Sequence, residues 1–116
     1  MFNQVEPALT LKYMKKKIYI SGKIAHMDIE ERRRTFKMAS DYWQLKGYDV
    51  FNPFENGISQ EADWHEHMRT DIRALTDCDI IYMLRGWEHS KGAKLEFDVA
   101  SSCGIEVWLE TTNRES

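Results

Sequence analysis

Two carboxylates fall on the apolar faces of helical segments, where an acid needs a reason to be. Glu96 follows the segment Gly86-Trp87-Glu88-His89-Ser90-Lys91-Gly92. Val99, Ala100 and Cys103 come three, four and seven residues after it, so Glu96 shares a face that turns toward protein. Asp71 follows Met68 by three and precedes Leu75 by four, and so lies in the stripe of another helix. An inward carboxylate either works in a pocket, as nucleophile or acid–base group, or caps a neighbouring element. The ordinary alternative for Glu96 is a side chain that leans to solvent or pairs with a lysine.

Other polar groups lie at the ends of the predicted elements. Tyr19 alternates with Ile18 and Ile20 and points to the opposite face, either into the core or with its hydroxyl toward a site. Ser21-Gly22-Lys23 ends that strand; its backbone N–H groups and the Lys23 charge suit a phosphate, but the same residues make an ordinary turn with a solvated lysine. Ser90 is a good N-cap, and with Gly92 it opens a helix whose free N–H groups favour an anion. Trp87, in the loop before Glu96, either lids a pocket and stacks on a base or packs the loop down. Trp43, Trp64 and Trp108 read as core aromatics. The four histidines, His26, His65, His67 and His89, have no chelating arrangement, so neither a metal nor a cofactor is expected.

The elements that must carry these groups alternate. Lys17 to Ser21 is β-rich. Asp28, with Glu31 three residues on, opens a helix that Gly47 stops. Tyr48 to Phe51 is a second strand, closed by Asn52-Pro53. Asp63, with Glu66, opens the next helix. Asp79 to Leu84 is nearly all apolar, as in a central parallel strand. A third helix runs from Ser90 or Gly92 to Cys103, stopped by Gly104, and Ile105 to Leu109 is the last strand. The order βαβαβαβ predicts an α/β fold, a three-layer flavodoxin- or Rossmann-like parallel sheet. Ligands then bind beyond the carboxyl ends of the strands, near the loops after Ser21, Phe51 and Leu84. Residues 1–13 read as a lead-in with no clear period, and 14–116 as a single domain.

The chain has 116 residues and a formal net charge of -3 with mixed signs, which argues against a nucleic-acid polymer as partner. No apolar run is long enough for a bilayer, and no secretory signal is visible, so the cytoplasm is expected. Cys78 and Cys103 read as small core residues in a reducing compartment.

Tyr19-Ile20-Ser21-Gly22, Asn52-Pro53, Asp71 and Gly86-Trp87-Glu88-x-Ser90-x-Gly92-Ala93-x-x-Glu96 together resemble the nucleoside 2-deoxyribosyltransferase superfamily, over nearly all of Lys17 to Leu109. The nearest likeness is to a small phage and bacterial branch, similar to deoxynucleoside 5′-monophosphate N-glycosidases. The resemblance implies a flavodoxin-like enzyme acting at the N-glycosidic bond of a 2′-deoxynucleoside or its 5′-monophosphate. Glu96 matches the family's nucleophile, Asp71 the acid that assists the leaving base, and Tyr19 the tyrosine beside the nucleophile. Gly22, Lys23, Ser90 and Gly92 match the phosphate cradle, and Ser21, Asn52 and Trp87 fall among the substrate-binding positions. Free-nucleoside transferases carry Asp where this chain has Ser90, which tilts the substrate toward a nucleotide. Departing from many members, the first loop reads Lys23-Ile24-Ala25-His26 without a Gly-Pro. The family's shared site near the C-terminus implies a homo-oligomer. The competing reading is a nucleotide-binding or sensing module without turnover.

Overall fold

The computed structural model describes residues 15–111. The lead-in 1–13 lies outside the described residues. The elements are β1 (Lys17–Ser21), α1 (Ile29–Leu45), β2 (Asp49–Phe51), α2 (Trp64–Thr76), β3 (Ile80–Met83), α3 (Lys91–Ser102) and β4 (Glu106–Leu109). Two 3-10 turns, Pro53–Glu55 and Trp87–His89, have no periodic signal in the sequence. The strands form one parallel sheet in the order β2-β1-β3-β4. That is the flavodoxin-like order, whose switch point lies between β1 and β3.

The helices start and stop as their caps require. Asp28 and Asp63 accept hydrogen bonds from the backbone N–H of Glu30 and His65. Gly47 and Gly104 take φ of 100° and 75°, a left-handed conformation that costs glycine least. At the end of α1 the Tyr48 N–H returns to the Trp43 carbonyl, and at the end of α3 the Ile105 N–H returns to Ala100. Tyr48 and Ile105 were expected to begin strands. Their N–H groups instead close the helices, so β2 and β4 each start one residue later.

Alternation along the strands divides the core. Ile18, Ile20, Ile80 and Leu84 pack with Phe36 of α1 on one side of the sheet. Tyr19, Ile81 and Met83 pack with Leu75 of α2 and with Ala93 and Ala100 of α3 on the other. Burial of these side chains is the main stabilising contribution, at roughly 1.5–3 kcal/mol for each fully buried aliphatic one. Gly22 follows β1, where a Cβ would stand 3.0 Å from the Leu84 side chain and 3.3 Å from the Phe36 ring. Close packing of the first loop onto β3 and α1 therefore leaves little room for a side chain there.

Two expected core residues are not in the core. Cys103 is exposed, because it forms the C-terminal cap of α3 after the helix has turned its buried face away. Trp64 is 42% exposed at the first position of α2. Cys78 is buried, and burial pushes its thiol up to about 11, which keeps it protonated and unreactive. No described helix is long and apolar enough to cross a membrane.

Candidate active site

Beyond the carboxyl ends of β1 and β3, a cleft of about 590 Å³ opens between the loops after β1 and β2 and the N-termini of α2 and α3. Asp71 and Glu96 both line it, although they are 7% and 6% exposed. Each side chain reaches the cleft because it lies on its helix's buried face. Ala93 and Ala100 flank Glu96 at three and four residues, and Leu75 follows Asp71 by four.

The Glu96 carboxylate is held at both oxygens. The Tyr19 hydroxyl donates to Oε2 at 2.6 Å, and the Ser21 hydroxyl donates to Oε1 at 2.6 Å. Tyr19 and Ser21 are two apart on β1, so they share the face toward α3. Both are fully buried. Tyr19 is thus core and site residue at once, with its ring stacked on Phe51 at 5.3 Å between centroids. Its hydroxyl is pushed well above the ordinary tyrosine range by burial first and then by the Glu96 charge, so it remains a donor.

A position near a helix N-terminus would by itself favour an ionised Glu96. Burial instead pushes its carboxyl up to about 7. The Ser21 and Tyr19 hydrogen bonds act the other way, and the charge of Asp71 raises it further. Glu96 sits past the first turn of α3, where the helix dipole has largely faded. Asp71 is likewise pushed up, chiefly by burial, against the lowering effects of an Asn56 hydrogen bond and the nearby His67. The cleft therefore holds two carboxyls that both favour a proton more than free acids do, each chiefly because of burial.

Basic side chains also line the cleft. Lys23, His26, His89 and Lys91 line the cleft near the start of α3. The Lys23 ammonium donates to the His89 carbonyl at 2.9 Å, tying the first loop to the 3-10 turn before α3. Ser90 is the N-cap: its Oγ accepts from the Ala93 N–H at 3.0 Å. Gly92 lines the cleft beside the Met68 sulfur, where an added Cβ would make an ordinary 3.4 Å contact.

Two expected binding residues serve the scaffold. Asn52 is buried, and its side chain caps the 3-10 turn by accepting from the Phe54 N–H at 3.0 Å. Trp87 stacks on Phe97 at 4.8 Å and packs against the core, because the turn that begins at Gly86 folds its ring inward. Neither is among the described residues that line the cleft. The tryptophan in the cleft wall is Trp64, with the Lys91 ammonium 4.9 Å from its ring centre. The sequence reading also missed Asn56 and His67. His67 lies one helical turn before Asp71, a spacing that could have revealed it. Asn56 arrives from a loop and carries no such signal.

Among the described residues, no cluster of three His, Cys, Asp or Glu could hold a metal ion. No curated protein matches the chain. Among solved structures, the Clostridium botulinum CMP N-glycosidase BcmB is similar at 20% identity and a TM-score of 0.57, over 81% of this chain and 67% of that one. At that identity the likeness shows a common fold. The family model named "Domain of unknown function (DUF4406)" matches residues 16–109, nearly the whole described fold. The chain belongs to the DUF4406 family.

Proposed function

We propose that this protein acts at the N-glycosidic bond of a 2′-deoxynucleoside or its 5′-monophosphate. Glu96 attacks the anomeric carbon, and the C–N bond breaks with its electron pair leaving on the base. Asp71 delivers a proton to that base. The sugar passes through an oxocarbenium-like state to an ester on the Glu96 carboxylate. Water, losing a proton to Asp71, or a second base then releases the sugar and frees Glu96. The observation that carries this reading is a buried carboxylate with both oxygens held by hydroxyl donors, in the same cleft as a second buried acid. Such an arrangement orients a nucleophile without neutralising it by a cation.

The basic side chains of Lys23, His89 and Lys91 beside Ser90 and the α3 N-terminus support a 5′-phosphate. The CMP N-glycosidase, which shares the fold, is named for a nucleoside monophosphate, which supports the same choice. Trp64 takes over the base-stacking role that the sequence suggested for Trp87. CMP is a ribonucleotide, so both sugar series belong in the test. Purified protein is incubated with deoxynucleosides, ribonucleosides and their 5′-monophosphates, with and without an acceptor base. Free base should appear with the wild type and not with Glu96→Ala. No release from any member, or equal turnover in the variant, rejects the proposal; tight binding without release would instead indicate a sensing module.

A further inference from the structure

We propose that Asn56, braced by His67, is a positioning residue that keeps Oδ1 of Asp71 an acceptor and leaves Oδ2 to carry the working proton. This rests on the role given to Asp71 above. Asn56 lies in the loop after the Pro53–Glu55 turn. Its Nδ2 donates to Asp71 Oδ1 at 2.9 Å and stands 3.1 Å from His67 Nδ1. His67 Nε2 is 3.0 Å from the Ser59 carbonyl, which can only accept. The proton of a neutral His67 ring is therefore on Nε2, and Nδ1 is left to accept from Asn56.

The amide cannot turn over at low cost. Its Oδ1 already accepts the Ile58 N–H at 3.1 Å. A flip would set that N–H against the amide NH2, and the amide oxygen against both the Asp71 oxygen and the His67 lone pair. Four donors and four acceptors alternate without conflict in one orientation only. Both Asn56 N–H groups are committed within the protein, so this side chain has no donor left for substrate. Its effect on the reaction must run through Asp71, whose free oxygen is the one able to give a proton to a leaving base.

The charged and titratable groups that face Asp71 are Glu96 from α3, Tyr19 from β1 and His67 from its own helix; the loop contributes only the neutral amide. Lys23, His26, His89 and Lys91 line the same cleft.

The test reads Asp71 directly, by carbon NMR titration of its labelled side-chain carboxyl, assigned by loss in Asp71→Asn. Asn56→Asp keeps an acceptor for Ile58 but replaces the donor to Asp71 by a like charge. The Asp71 midpoint should rise by about one pH unit or more, as neighbouring carboxylates require. His67→Phe should give a smaller rise. An unmoved midpoint in folded Asn56→Asp overturns the proposal; should that variant not fold, an unmoved midpoint in His67→Phe does the same. In the base-release assay, Asn56→Asp should lower kcat roughly tenfold or more while KM stays within about twofold. A rise in KM with kcat unchanged would make Asn56 a binding residue and also overturn the proposal. If the wild type releases no base, the glycosidic reading fails, and the NMR titration still decides the fate of the relay.

Discussion

The two faces of the sheet are built from the same strands and do different work. On the α1 side, Ile18, Ile20, Ile80 and Leu84 meet Phe36 in a cluster whose fully buried members are all apolar. On the other side, Tyr19 and Ser21 stand among equally buried neighbours and present hydroxyls to Glu96. Successive residues of β1 alternate between these environments. A parallel strand buried on both faces is uniformly inward-facing. Polarity on one face is then tolerated only where another element supplies a partner. Here α3 supplies it, and the result is a carboxyl that burial pushes up to about 7. Both faces bury apolar side chains that stabilise the fold, and one of them also gives up some stability to hold a buried carboxyl.

The contrast can be broken from either side. The largest expected effect is on the polar face: Glu96→Ala should lower base release by roughly 10³-fold or more, measured as kcat/KM, because in the proposed mechanism Glu96 forms the new bond. On the aliphatic face, Ile80→Ala should cost about 2–5 kcal/mol of unfolding free energy in urea. Activity per folded molecule and its pH profile should be unchanged. If Ile80→Ala shifted that profile, the two faces would not be separable.

A subtler test uses the pH dependence of stability. Glu96 ionises near its ordinary 4.5 when unfolded and near 7 when folded, so the folded state holds the proton longer. Wild-type stability should therefore fall as pH rises from about 4.5 to about 7 and level off above. Glu96→Gln does not titrate, and its amide can still bond both hydroxyls. It should be more stable than wild type at pH 8 by up to about 3 kcal/mol, a gap that closes toward pH 4. Thermal melts across that range measure it; a constant gap would remove the buried-carboxyl account.

The smallest expected effect comes from Tyr19→Phe, which deletes one hydroxyl from Glu96 and keeps the ring stacked on Phe51. That hydrogen bond favours the ionised form, so the acid limb of the pH–rate profile should move upward from about 7. The rate at neutral pH should fall by roughly 10- to 100-fold, the scale of a hydrogen bond to a charged group.

Much of this was legible before any coordinates. The four strands, three helices and their alternation follow from hydrophobic period and from caps at Asp28, Asp63, Ser90, Gly47 and Gly104. The inward facing of Asp71, Glu96 and Tyr19 follows from position within a turn or a pleat. Such reasoning says which way a side chain points and nothing of what meets it there. It misassigned Trp64 and left Trp87 open because both stand at element boundaries, where periodicity is weakest. It missed Asn56, whose place is set by the loop around it.

Sequence alone determined the order of elements and the face of each helix or strand, because those depend on neighbours within a few residues. Only the folded chain could bring Tyr19 and Ser21 onto a carboxylate 77 and 75 residues away. That meeting depends on strand order and on the crossovers over the sheet. With it came the lifted ionisation of Glu96, since burial and its opposing hydrogen bonds arise only when distant segments close over one another.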